Sequence, residues 1–265
     1  MSTKEKVLKG KVLRKLKSGQ TITLSVGDDK MLKACYDYLQ GFAEREQLAL
    51  QLERKRHELI ELGVPVEKSA LLPKSRMLTA VAASHAHSAA PATSRRLSDT
   101  DKMDLIQCTI EEYQIIEGKL QTHAASDRRI SLDDLTAVLL SLGVHNPQRR
   151  LVEQMVWEVD ELTDSVICLD ELLLAYRRNL DDKTGNEPST FFRLLEFLLF
   201  DQAKRGFITE DDCMEILFVR YGASRLETEL KFIFGSSRRS SGGDGTITFE
   251  GYCAAWLARD GKRLL

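Results

Sequence analysis

The chain has 265 residues, of which 43% are hydrophobic and 29% are charged. This length and composition exclude a chain that is disordered throughout, and they predict one or two domains with hydrophobic cores. The formal net charge of -2 excludes a global electrostatic preference for nucleic acid or membrane surfaces, so a charged partner must be sought in local patches.

Targeting and redox signals are sparse. The opening residues MSTKEK contain no apolar segment of signal-peptide length, and no stretch approaches the roughly 18 apolar residues of a transmembrane helix. We therefore expect an intracellular protein with no transmembrane segment. The cysteines are odd in number and form no C-x-x-C pair, which predicts reduced, mostly buried thiols at Cys35, Cys108, Cys168, Cys213 and Cys253.

Residues 1–28 form a basic arm. Lysine and arginine dominate its first half against the single acid Glu5, and the interleaved apolar residues fit one face of a short helix that Gly10 and Gly19 weaken. The run TITLSV (21–26) alternates as a strand does. The arm suits an acidic surface such as tubulin or a lipid head group, or it is a solvated tail; nucleic acid is not expected, because no RNA-reading aromatic motif is present. The candidate contact residues are Lys9, Lys11, Arg14 and Lys15.

Residues 29–63 carry the spacing of a long helix that ends at Gly63 and Pro65. The apolar stripe is interrupted by a phase shift between Phe42 and Leu48, so the helix is either coiled-coil-like and directed at a partner or packed on its own domain. Residues 64–97 turn to Pro, Ala, Ser and His, which is the composition of a linker.

From residue 98 onwards one unit is used four times. An isoleucine follows each interruption of the helical pattern at an interval of about 40 residues, at Ile130, Ile167, Ile208 and Ile247. Each isoleucine is then the eighth position of a twelve-residue loop between two helices: HAASDRRISLDD, DELTDSVICLDE, DQAKRGFITEDD and SSGGDGTITFEG. The spacing predicts that these isoleucines pair between adjacent loops, and that residues 98–180 and 181–265 form two helical pairs.

The stretches ISLDDLTAVLLSLGVHNP (130–147), EVD (158–160), LLFDQ (198–202) and GFIT (206–209) resemble calmodulin-superfamily EF-hands. The resemblance covers residues 98–260, about 60% of the chain. It implies an all-α fold in which two EF-hand pairs, as calmodulin-like lobes, follow a long N-terminal helix and a linker.

A calcium loop needs oxygen ligands at positions 1, 3, 5 and 9, Gly at 6 and a bidentate Glu at 12. Loops one and three lack most of these, so no binding is expected there. Loop two keeps Asp160, Asp164 and Glu171 but has Leu162 at position 3, which leaves residual binding as the most that we expect. Loop four keeps Asp244 in DGTITFE, but its twelfth position is Gly251. Calcium is therefore not an expected cofactor.

Basic residues stand inside the loops that have lost their ligands. Arg128 and Arg129 in loop one, and Lys204 and Arg205 in loop three, lie beside retained acids. We hypothesise that these cations partly replace the ion; the alternative is that they point into water.

A lobe that cannot bind calcium keeps its hydrophobic face, but calcium no longer opens or closes it. Most aromatic residues must form the core, and the remainder are candidates to grip a partner helix: Phe191, Phe192, Phe197, Phe218, Phe232 and Trp256. The basic arm, long helix, linker and degenerate loops, with WEVDELTDSVICLDELLLAYRRNLDDKTGNEP and FFRLLEFLLFD, resemble EF-hand proteins of ciliary and flagellar axonemes. That resemblance implies a non-enzymatic, microtubule-associated structural protein in the cytoskeleton of a cilium or flagellum.

Three further readings stay open. The first is a calcium sensor that uses loops two and four. The second is an enzyme, which the lack of a P-loop, a G-x-S-x-G motif or a metal-type His pair disfavours. The third is regulation by phosphorylation in RRLS at Ser98 or RRSS at Ser241, where an unmodified serine is the simpler expectation.

Overall fold

The structure is a computed structural model, and it describes residues 5–8, 11–16, 18–66, 99–123, 129–238 and 245–260. These residues are mainly helical, with ten helices and two small sheets, which confirms the predicted helical character. The chain divides into two compact units, residues 1–40 with 129–265 and residues 41–128. The units meet at residues 40/41 and 128/129, whereas the sequence predicted boundaries after residues 28, 63, 97 and 180. The predicted domains therefore stay a prediction.

The described part of the basic arm is a sheet. Strands β1 (Glu5–Leu8), β2 (Lys11–Lys15) and β3 (Thr21–Ser25) pair antiparallel in that order. The predicted strand is confirmed, and the predicted helical face is wrong. In β2, Val12 and Arg14 are buried and Lys11 and Lys15 are exposed, which is the period of two of a strand.

A buried ion pair explains that inward-facing arginine. Arg14 is only 3% exposed, and its Nη2 lies 3.0 Å from the Asp29 carboxylate at the start of the next helix. Lys33 also contacts Asp29, at 2.9 Å. A buried charge is tolerated when it is paired, so Arg14 joins the sheet to the first helix and is not available to an acidic partner.

The predicted long helix is two helices. Helix α1 (Val26–Leu39) begins at Ser25, whose hydroxyl accepts from the Asp28 amide, and helix α2 (Phe42–Glu61) begins after Gly41. Gly41 has φ +61°, in the left-handed region that glycine adopts without a Cβ penalty. The break at Gly41 also lies at the boundary between the two units.

The described part of the smaller unit is a pair of helices, α2 and α3 (Asp99–His123). Its core contains Leu52 and Leu59 of α2 with Tyr113 and Leu120 of α3. Lys55 bridges the pair through a 2.7 Å contact with Glu112. Helix α3 was expected to be the first helix of the first loop unit, but it packs on α2.

The larger unit continues with seven more helices. They are α4 (Leu132–Ser141), α5 (Arg149–Trp157), α6 (Leu169–Asp181), α7 (Thr190–Phe200), α8 (Glu210–Tyr221), α9 (Ala223–Arg238) and α10 (Phe249–Asp260). Strands β4 (Phe207–Thr209) and β5 (Thr246–Thr248) pair antiparallel in the connecting loops.

The four repeated isoleucines pair as predicted. Ile130 and Ile167 exchange two backbone hydrogen bonds of 3.0 and 2.8 Å, and Ile208 lies opposite Ile247 in the β4–β5 ladder. All four side chains are buried. The aliphatic residue after each interruption therefore joins two loops across a short antiparallel contact.

In the described ranges, none of the helices combines the length and the apolar character needed to cross a bilayer.

Candidate functional site

The loops start their exit helices with a capping box. In loops one, two and three, position 9 is the N-cap (Ser131, Cys168 or Thr209), and position 12 is the acid whose side chain returns to the N-cap amide. The corresponding distances are 2.9 Å for Asp134, 2.8 Å for Glu171 and 2.7 Å for Asp212. Position 12 thus has a structural use that needs no ion.

Loop two folds around its three candidate metal ligands. Asp160 accepts from the amides of Asp164 and Ser165 at 3.2 and 2.8 Å. One oxygen of Glu171 accepts from the amides of residues 161 and 162, at 3.1 Å each, and the other accepts from the Cys168 amide. These acceptors are already engaged by backbone donors within the loop.

A guanidinium reaches loop two from loop one. Arg129 donates to the Asp164 carboxylate, which also accepts from the Val166 amide at 3.3 Å. Arg129 lies one residue before the Ile130–Ile167 contact, so the pairing of the loops brings it opposite position 5. The sequence hypothesis placed Arg128 and Arg129 inside loop one as substitutes for its ion, whereas Arg129 pairs with an acid of loop two. Arg128 is outside the described residues.

Loop three contains a second guanidinium. Asp201, which is fully buried, accepts from the amides of Arg205 and Gly206 at 2.9 and 2.7 Å. The Arg205 side chain lies 4.0 Å from Asp201 and donates to Asp212, so it connects positions 1 and 12. Burial alone would raise the pKa of Asp212, but hydrogen bonds from Thr209 and the charge of Arg205 outweigh burial and lower it. With two carboxylates and a cation between them, this loop does not fit a calcium ion.

Lys204 contacts different groups from those that the adjacent Arg205 contacts. Its ammonium donates to the Leu198 carbonyl at 3.2 Å and lies 4.4 Å from the centre of the Tyr38 ring of α1. Burial lowers the pKa of Lys204, against the opposing influence of Cys35 and Asp201. This lysine therefore joins loop three to α1 and contacts no carboxylate of the loop directly.

The first five positions of loop four, including Asp244, lie outside the described residues, as do Lys9, Ser98 and Ser241. At position 12, a Cβ added to Gly251 would lie 2.9 Å from Cγ1 of Ile247. Thr248 still caps the helix, with a 3.4 Å contact from the Gly251 amide. Within the described part of the chain, no group of three His, Cys, Asp or Glu side chains is arranged to hold a metal ion.

Helix α1 packs on the helices of both pairs. It contacts α4 and α6 of the first pair and α7 of the second. Leu32 and Leu39 are fully buried there, and Tyr36 is nearly so. The apolar face that predicted a partner-seeking helix is thus buried against the chain's own helices over the length of α1.

A buried polar network ties α1 to this helical body. Arg220 is ion-paired with Glu196 at 2.5 Å and donates to the Tyr176 hydroxyl at 2.6 Å. Tyr176 in turn donates to Asp28 of α1 at 3.0 Å, and Tyr252 donates to the second oxygen of Glu196. The chain of contacts runs through five helices. Sequence patterns did not reveal this network, because the partners in each of its hydrogen bonds lie 24 to 148 residues apart in the chain.

The predicted partner-binding aromatics separate into two groups. Phe191 and Phe197 are 1% and 0% exposed and belong to the core, so they offer no surface. Phe218 is 52% exposed. Phe232 and Trp256 form an edge-to-face pair 5.1 Å apart, with the Arg259 guanidinium over both rings. The remaining residue, Phe192, is half-buried and lines an open groove together with Trp256.

The cysteines follow their prediction in part. Cys35, Cys168 and Cys213 are buried, Cys253 is half-buried, and Cys108 is exposed; all five are free thiols. Burial raises the pKa of the Cys253 thiol to about 12. Thiols held protonated in this way are poor nucleophiles.

Comparison with known proteins does not assign the chain to a family. Neither models of protein families nor curated proteins gave a match.

Proposed function

We propose that this chain is a non-enzymatic interaction protein built on two EF-hand pairs whose loops are closed by arginines and capping boxes in place of calcium. The observation that carries the proposal is the position of Arg205, which lies between the acids at positions 1 and 12 of loop three. Arg129 supports it from the first pair through its contact with Asp164.

The electrostatic reasoning is simple. A calcium loop gathers carboxylates whose repulsion the ion relieves, and release of the ion is what makes a sensor switch. A guanidinium attached to the chain relieves the same repulsion but cannot dissociate. A loop of this kind holds a single state at every calcium concentration.

The packing of α1 adds a second reason for a static body. Sensor lobes open to expose a groove for an amphipathic helix. Here α1 lies against both pairs, and the Tyr176–Asp28 and Lys204–Tyr38 contacts fix it there. The helical body then meets its partners through other surfaces, in a manner that is independent of calcium.

We place this protein in the microtubule cytoskeleton, in the axoneme of a cilium or flagellum. The support is the resemblance of the sequence to axonemal EF-hand proteins, together with Lys11 and Lys15, which are exposed on β2 and suit an acidic surface such as tubulin. The competing function is a calcium sensor that uses loops two and four. It is favoured by the three acids that loop two retains.

Co-sedimentation with microtubules tests the proposal. The intact chain should pellet equally in calcium and in a calcium chelator, and Lys11→Glu with Lys15→Glu should reduce the pelleted fraction. Lys102→Glu, which changes an exposed lysine on α3, is the matched control and should pellet like the wild type. Binding that appears only with calcium would favour the sensor. No pelleting in either condition, together with proximity labelling in ciliated cells that marks no axonemal protein, would refute the cytoskeletal assignment.

A further inference from the structure

A large open groove crosses one side of the larger unit. Its volume is about 1820 Å³. Its lining comes from β3 and the end of α6, from the turn 182–189, and from the ends of α8 and α10. No position of the four calcium-type loops contributes to this lining, but Lys11, which the microtubule test also changes, does. The groove therefore shares Lys11 with the surface invoked in the proposed function and extends it to the ends of α6, α8 and α10.

The carboxylates of this groove are already engaged. Both oxygens of Asp181 receive hydrogen bonds from Arg177, at 2.5 and 2.6 Å. Asp182 accepts from the Glu187 amide, from the hydroxyl and amide of Thr184 and from the Gly185 amide, and these bonds lower its pKa to about 2. Glu158 accepts from the Phe191 amide at 2.9 Å. The acids thus stabilise the groove's own backbone and side chains.

The cations of the groove are less fully compensated. Lys11 and Lys183 are exposed, and neither has a side-chain partner among the residues that the structure describes. Arg225 and Arg259 share the single carboxylate of Glu229, at 3.3 and 3.1 Å. The lining therefore carries more exposed positive than negative charge.

Apolar side chains lie between these charges. Val219 is 68% exposed, and Trp256 and Phe192 are half-buried on the same surface. Aromatic rings and arginines at the centre of a groove are the residue types that dominate binding energies at protein interfaces. A ligand that satisfies both features must carry carboxylates together with aliphatic or aromatic side chains.

We propose that this groove binds an acidic peptide segment of a protein partner, one in which carboxylates alternate with aliphatic side chains. The proposal rests on the proposed function, since it names the surface and the partner chemistry of an interaction protein. A nucleic acid fits less well, because a continuous line of phosphates has no apolar group to place against the exposed Val219 side chain, whereas an aliphatic residue of a peptide does.

Fluorescence anisotropy with a labelled twelve-residue peptide of alternating Glu and Leu tests this inference on the intact chain. We expect saturable binding with a dissociation constant below about 1 mM, and at least tenfold weaker binding by Lys11→Glu with Lys183→Glu. Both changes affect exposed side chains without described partners, so the fold should be retained. The matched control is Lys30→Glu, an exposed lysine of α1 outside the groove, which should bind like the wild type.

Three results would overturn the inference: no saturable binding, equal weakening by the groove and control variants, or tighter binding of a single-stranded oligonucleotide than of the peptide. A peptide of alternating Lys and Leu should not bind, which separates recognition of carboxylates from apolar adsorption. If the acidic peptide fails while the chain still binds microtubules independently of calcium, only the groove assignment fails. If calcium controls microtubule binding, the proposed function fails whatever the peptide does.

Discussion

Arg220→Met is expected to destabilise the larger unit strongly. The Arg220 and Glu196 side chains are 7% and 4% exposed and meet at 2.5 Å. Without the guanidinium, the Glu196 carboxylate is left buried with Tyr252 as its remaining described donor. Breaking one side of a buried ion pair costs about 3–5 kcal/mol, because the other charge stays uncompensated. Tyr176 also loses its donor, although it keeps Asp28 as an acceptor.

Urea unfolding of the intact chain, followed by circular dichroism at 222 nm, measures this loss. A compensating variant, Arg220→Met with Glu196→Leu, removes both charges and should recover at least half of it, since a buried pair replaced by apolar residues is often close to neutral. The compensated protein also provides a measurement if Arg220→Met alone does not fold.

The size of the loss in Arg220→Met and its recovery in the double variant together test the role of this pair. A deficit below about 1 kcal/mol, or a double variant no more stable than the single one, would refute the reasoning.

Other substitutions separate the roles of neighbouring residues. Arg205→Met should lower the free energy of unfolding by about 1 kcal/mol. Lys204→Met should change it by less than about 0.5 kcal/mol, because burial already disfavours the ammonium. Equal losses of stability in thermal melts of the two variants would contradict the distinction. Asp212→Asn should be less stable than the wild type at neutral pH, and the difference should close as the pH falls through the lowered pKa of Asp212, since the stability from a depressed carboxyl is lost on protonation; a difference that is constant with pH would disprove this. Gly251→Ala should destabilise by about 1 kcal/mol or more, since its Cβ would lie 2.9 Å from a side-chain carbon of the β5 isoleucine, whereas Gly235→Ala in α9, with open space around it, should stabilise by up to about 1 kcal/mol; chemical denaturation of both variants compares them.

The repeat in the sequence predicted the pairing of the four isoleucines because that pairing depends on local chemistry. A β-branched residue recurs where two loops pair, and a hydroxyl or thiol followed three residues later by an acid starts each exit helix in the first three loops. The segments SLDD and TEDD carry the capping-box signature, which could have predicted a structural use for position 12. The same local reasoning placed Arg205 beside the acids of loop three, whereas the acid that Arg129 contacts lies in loop two, 35 residues away.

The N-terminal part was harder to predict because its pattern depends on distant partners. Arg14 faces the interior of β2, where a cation hides the alternation of apolar residues, and its burial is possible only through Asp29. The amphipathic pattern of α1 predicts a surface for a partner, because the sequence does not show that helices more than 90 residues away cover it. The Tyr176–Asp28 contact is of the same kind, since it joins residues 148 positions apart.

Separating Arg205 from Lys204 changes how the basic residues of loop three are understood. Both are cations in a loop that has lost its ligands, and the sequence gives no reason to distinguish them. The structure does, because one guanidinium reaches two loop acids while the adjacent ammonium turns to a ring and a carbonyl. Of the two cations, only Arg205 contacts both acids of the loop, as a bound ion would.

Calorimetric titration of calcium into the intact chain, with thermal melts in calcium and in chelator, tests the central claim most directly. If tethered arginines close the loops, we expect no saturable heat up to about 1 mM calcium and the same melting temperature in both conditions. Stoichiometric binding in the micromolar range, accompanied by a rise in melting temperature, would contradict the account.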